Sequence, residues 1–138
     1  MIGGFAALQL LKYAVGFGTG FLIYAAARHR GASKFSASLA LVLVSPLFAV
    51  AYSPVRAQIF TNLFLALSLY SIARYRSSPR MSWIILLISA NWLWLNMHGG
   101  FVVGLGAYFF FAAHAVIKKK DQLFFVGAFA SFLILRLS

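Results

Sequence analysis

Basic residues fall in three short clusters between apolar runs, and that spacing limits what the chain can fold into more than any other feature. Arg28, Arg30 and Lys34 form the first cluster, Arg74, Arg76 and Arg80 the second, and Lys118, Lys119 and Lys120 the third. Two apolar runs separate each cluster from the next. Clusters on alternate loops are the mark of a polytopic membrane protein, because Lys and Arg collect on cytoplasmic loops. Counting the twelve cations gives nine in these loops, Arg56 and Arg136 on the opposite face, and Lys12 inside the first run. The expected location is therefore the inner membrane, with the three clustered loops cytoplasmic. The N-terminus, Arg56 and His98 then face outward.

Composition supports lipid as the solvent. Hydrophobic residues make up 63% of the 138 positions and charged residues 9%, against roughly 25% charged in soluble domains. A net charge of +11 does not imply nucleic acid, since such a binder gathers its cations into one continuous patch. Here they are divided among helix ends, where anionic head groups are the natural partner. Cysteine is absent, which excludes disulfides and thiolate metal sites. A cleavable leader is not expected, because no basic n-region opens the chain and Lys12 interrupts the first run.

The expected fold is all-α, a single transmembrane helical region over 1–138. Its six membrane segments are expected at 5–27, 35–52, 57–73, 82–97, 100–117 and 122–136. Trp83, Trp92, Trp94, Tyr52, Tyr70 and Tyr75 suit interfacial aromatic belts. Pro46 predicts a kink in the second segment, with Ser45 available to satisfy the freed backbone. Gly16 and Gly20, and likewise Gly100 and Gly104, have the four-residue spacing that lets helices approach closely. An outward N-terminus without a leader, and a chain that stops within a segment, predict a fragment of a larger membrane protein.

Chemistry has few carriers. Asp121 is the sole carboxylate side chain, and it lies beside the third basic cluster. Paired-carboxylate catalysis and a nucleophile–His–Asp arrangement on the outer face both lack their acid. His29, His98 and His114 fall in different layers, so no metal site is expected; no catalytic residue and no cofactor are expected either. The candidates for substrate binding are Arg56, Gln58, Asn96 and His98. Arg56 is either a bidentate phosphate binder or an interfacial cation snorkelling to head groups. Asn96 and His98 either bond a sugar or phosphate, or close a tight helix–helix turn. Gln58 shares a helix face with Asn62 and either lines a site or links helices. Lys12 either snorkels or points into the bundle.

Two elements carry a family resemblance. Arg56-Ala57-Gln58, followed by Leu93-Trp94-Leu95-Asn96-Met97-His98-Gly99-Gly100-Phe101, resembles the core of a bacterial group of polytopic membrane proteins. That group is similar to glycosyltransferases of the C-type fold, such as protein O-mannosyltransferases and aminoarabinose transferases. Their first element reads Arg-Pro-Gln and their second Trp-x-Asn-x-His-Gly-Gly-Phe; Ala57 departs from the first. The loop 27–33 resembles the cytoplasmic loop that precedes these elements. The resemblance implies a bundle that binds a polyprenyl-phosphate-linked sugar on the outer face, with Arg56 on the donor phosphate and Asn96 and His98 lining the cavity. It also implies that the first helix and the external loop bearing the catalytic acid lie outside this chain, which would be inactive alone. Two alternatives remain: a small non-enzymatic membrane subunit or packing partner, and a transporter fragment.

Overall fold

The computed structural model describes residues 2–51, 58–97, 101–104, 106 and 109. The described residues are helical apart from short connections, and none is in a strand. Among the described residues the helices in order are α1 (Ile2–His29), α2 (Lys34–Ala51), α3 (Gln58–Ser77) and α4 (Met81–Met97), with further helical residues at 101–104. The first four expected segments correspond to these. The fifth is described at 101–104, 106 and 109, where it is helical. The sixth lies outside the described residues.

Local chemistry sets the first connection. Gly31 adopts a φ of 91°, a backbone region open to glycine at little cost. Around it, the Gly31 N–H bonds to the Arg28 carbonyl and the Ala32 N–H to the Ala27 carbonyl, both at 3.1 Å. This pair of bonds closes the last turn of α1 as a Schellman motif. Ser33 then caps α2, its hydroxyl accepting the Ser36 N–H at 3.0 Å. Inside α2, the Pro46 ring removes the N–H that would have bonded to Val42. The Ser45 hydroxyl donates to that Val42 carbonyl at 2.8 Å instead. The helix continues past the proline, and the expected role of Ser45 is met.

α3 is the centre of the packing. Its buried residues include Ile59, Thr61, Phe64, Ala66, Ser68, Ser71, Ile72 and Ala73, and it touches both α1 and α4. At one level, Val15 of α1 packs on Ile59, with Phe60 and Leu63 alongside. Further along both chains, His29 meets Tyr70 and Arg74. The two contacts advance together, so α1 and α3 run parallel. α4 runs antiparallel to α3: Phe64 stacks on Trp94 with ring centroids 6.1 Å apart, and Arg74 lies over Trp83.

Two small-residue expectations part company. At Gly104 an added Cβ would stand 2.5 Å from Cζ3 of Trp94, so this glycine is required by close approach. A continuous helix would hold residues 94 and 104 about 15 Å apart; residues 101–104 therefore lie alongside α4. At Gly20 an added Cβ would meet nothing within 4 Å. The α1–α3 contact uses Val15, packed on Ile59, and Gly18, where an added Cβ would stand 3.7 Å from Cδ1 of Leu63. Gly16 is half-buried, and Gly100 lies outside the described residues.

Trp94 is also a correction to the expected aromatic belt. It is 0% exposed, held between Phe64 and Gly104, where an interfacial tryptophan would keep its N–H wet. Trp92, two residues earlier, is 48% exposed and matches the expectation better.

α1 is long and apolar enough to cross a membrane, over Gly4–His29, with a mean hydropathy of 1.4. Lys34–Pro46 and Met81–Met97 are apolar but shorter. α3 has the length but carries Gln58, Asn62, Arg74 and Arg76. By length and composition, one described helix thus meets the test for a span. Large apolar side chains cover the outside of the bundle, among them Phe5, Phe17, Phe21, Phe35, Val42 and Leu43. Lys12, within α1, sets its ammonium 5.0 Å from the centroid of the Tyr13 ring, a cation–π contact that offsets part of the cost of a charge in an apolar helix.

Candidate functional site

The parallel α1–α3 pair and the antiparallel α3–α4 pair give the bundle two chemically different ends. At one end the last turns of α1 and α3 meet the first turn of α4. The basic clusters 28–34 and 74–80, separated by two helices in sequence, come together there.

Arg74 organises this end. Its Nη1 lies 2.9 Å from His29 Nε2 and 3.4 Å from Nδ1. A guanidinium has donors and no acceptor, so the imidazole is the acceptor in this contact. The other side of the guanidinium covers Trp83, 4.7 Å from the ring centroid. Tyr70 completes the cluster, edge-on to Trp83 and tilted against His29, each with centroids 5.9 Å apart. These contacts explain why α3 runs to Ser77 rather than ending near residue 73. Arg74 is a packed member of the bundle and the helix has to continue to hold it.

Arg74 Nε and Trp83 Nε1 are buried without a hydrogen-bond partner. No carboxylate side chain is present among the described residues, since the chain's single acid is Asp121. A cavity of about 420 Å³ opens between α1 and α3, with His29, Arg30, Arg76 and Ser77 at its rim and Ala26 and Ile72 in its apolar wall.

The opposite end holds the residues singled out from sequence. α3 begins there at Gln58 and α4 ends there at Met97. Gln58 is exposed. Asn96 is also exposed, and its amide donates to the Trp92 carbonyl one turn back at 2.7 Å. Arg56 and His98 lie outside the described residues. The structure thus brings Gln58 and Asn96 to one end of a helix pair.

No family model, curated protein or solved structure matches this chain.

Function must therefore be argued from the two ends themselves. His29, Tyr70, Arg74 and Trp83 were not among the substrate-binding candidates from sequence, and their meeting in one cluster was not expected. Its signal was present in the alternation of basic loops, which put residues 28–34 and 74–80 on one side. What that alternation does not give is which arginine turns inward. Asn91, a second amide, is buried in α4 and donates to the Leu87 carbonyl at 2.6 Å. It behaves as Thr19 and Ser71 do, returning a polar group to its own helix backbone.

Proposed function

We propose that the chain is part of a polytopic inner-membrane bundle similar to the C-type glycosyltransferases. Its Gln58–Asn96 end faces outward and binds the phosphate and sugar of a polyprenyl-phosphate-linked donor. The observation that carries this reading is the antiparallel pairing of α3 and α4. Gln58 and Asn96 belong to the two sequence elements of the resemblance, and both lie at the end away from the basic loops. The apolar side chains covering α1 and α2 support a lipid-facing exterior, being more extensive than a water-facing surface tolerates.

In this reading Arg56 supplies the planar fork that matches two phosphate oxygens, and Gln58, Asn96 and His98 offer hydrogen bonds to donor hydroxyls. With Asp121 as its one carboxylate side chain, on the basic side of the alternation, the chain holds no acid at the outer end to deprotonate an acceptor. Donor binding without transfer is the expected behaviour of the isolated chain.

The test is photocrosslinking in vesicles with a diazirine-bearing polyprenyl-phosphate sugar. Label should map to peptides around Gln58 and Asn96, be lost in Arg56→Ala and be weakened in Arg56→Lys. Label confined to the basic loops, or indifferent to Arg56, would remove the reading's support.

A further inference from the structure

We infer that the outer part of α1, from Gly4 to Ala14, docks a second, apolar membrane helix that carries one carboxylate, and that this carboxylate takes the ammonium of Lys12. The inference rests on α1 lying in lipid and is independent of the donor site.

Register isolates this part of α1. Val15 packs on Ile59, Gly18 faces Leu63 and His29 meets Arg74, partners about 45 positions apart in sequence. Lys12 therefore stands level with the start of α3 at Gln58, and the residues before it extend past that helix. α4 ends at Met97, near the same level. Of the residues described in α2, it is Ala37, in the first turn, that is buried. Gly4 to Leu8 are exposed in unbroken succession. Five residues make more than a full turn, so no side of the helix is covered there. Leu10, Leu11, Tyr13 and Ala14 are exposed as well.

Charge says what covers it. Gln9 and Lys12, three apart, share one face, and they are the half-buried residues of this stretch. Both are donors, an amide and an ammonium, on a surface that is otherwise apolar except for Tyr13. From Arg28 to Lys12 is roughly 24 Å along the helix, inside a hydrocarbon layer about 30 Å thick that begins at Arg28. A charge at that depth is costly, and membrane helices hold one by pairing it. What Lys12 has is the Tyr13 ring, 5.0 Å away. No described residue carries a carboxylate side chain, since the chain's single acid is Asp121. A carboxylate on a neighbouring helix accepts from both Lys12 and Gln9. A second copy is the wrong occupant, because two copies in one orientation set Lys12 against Lys12 and like charges repel.

The test uses the full chain with Ser33→Cys, labelled with a donor fluorophore, in phosphatidylcholine vesicles. Three synthetic leucine–alanine helices, each roughly 20 residues long and acceptor-labelled, carry Glu, Leu or Lys at the depth of Lys12. Energy transfer against peptide-to-lipid ratio gives the association constants. The Glu helix should bind at least about fivefold more tightly than the Leu helix, the gain expected of a polar pair between membrane helices. In Lys12→Met, which keeps the side-chain length, the Glu and Leu helices should bind alike. In Lys12→Glu the preference should pass to the Lys helix. Circular dichroism and resistance to alkaline extraction show that each variant folds and stays in the membrane.

A Glu preference that survives in Lys12→Met would place the carboxylate elsewhere on the chain and overturn the pairing. Equal binding of the Glu and Leu helices by the parent chain would overturn it too, leaving Lys12 to the lipid head groups. Transfer between donor- and acceptor-labelled chains that the Glu helix does not compete away would give the face to a second copy instead. A parent chain released by alkali would deny that α1 lies in lipid, a failure of the membrane reading itself and distinct from the other three.

Discussion

Arg74 Nη1 lies 2.9 Å from His29 Nε2, a contact that spans 45 positions of sequence and joins the last turns of α1 and α3. The same guanidinium covers Trp83 of α4, so one side chain ties three helices at one end of the bundle. Arginine suits the position because its planar face can stack on an indole while its edge still donates.

Removing that tie should loosen the basic end. Arg74→Ala is expected to destabilise the bundle by about 1–2 kcal/mol, the range of a partly desolvated cation–π contact. Arg74→Lys should retain a minor part of this, since an ammonium cannot stack flat on Trp83. Reversible unfolding in mixed micelles, followed by tryptophan fluorescence, measures both. Equal stability for Arg74→Ala and the parent chain would show that the cluster is held by the apolar packing of Tyr70 and Trp83 alone.

Glycine substitutions should divide by position. Gly104→Ala drives a methyl into the Trp94 ring, which is fully buried and cannot move aside, at a cost of about 1–3 kcal/mol. Gly20→Ala meets open space and should be neutral or stabilising by up to about 1 kcal/mol, from helix propensity. Combining Gly104→Ala with Trp94→Phe should recover part of the loss, and the same unfolding assay reads all three. A tolerated Gly104→Ala would mean that the return of residues 101–104 onto α4 is looser than described.

Ser45→Ala leaves the Val42 carbonyl without its donor opposite Pro46. The expected cost is about 0.5–1.5 kcal/mol, the net worth of one hydrogen bond at a site on the outside of the bundle. Ser45→Ala made together with Pro46→Ala should be close to neutral, because the backbone N–H returns. A double-mutant cycle measures the coupling, and additive effects would deny the substitution of hydroxyl for amide.

The helices were largely legible because apolar runs broken by Gly31, Ser33 and Ser78-Pro79 leave few other ways to divide the chain. The end of α3 was not. Arginine reads as an exit from the apolar layer until a partner such as His29 is known, and that partner lies in another helix. Trp94 was misplaced for a similar reason: its setting is decided by Gly104, ten positions on, and a tryptophan near a helix end looks interfacial by itself. Ser45 was read correctly because its partner is local. Of the candidate site, sequence placed Gln58 and Asn96 on one face of the alternation, and the antiparallel α3–α4 pair agrees. Arg56 and His98 lie outside the described residues.

Sidedness is the claim on which the proposed donor site depends: basic loops together on the cytoplasmic side, the Gln58–Asn96 end outside. The chain has no native cysteine, so single cysteines report without background. Introduced at Ser33, Ser77, Ser53 or Gly99 in intact cells, they can be probed with a membrane-impermeant thiol reagent. The account predicts labelling at residues 53 and 99, and none at 33 and 77 until the membrane is permeabilised. Labelling at 33 and 77 in intact cells would contradict it, reversing the bundle and removing the outward donor site.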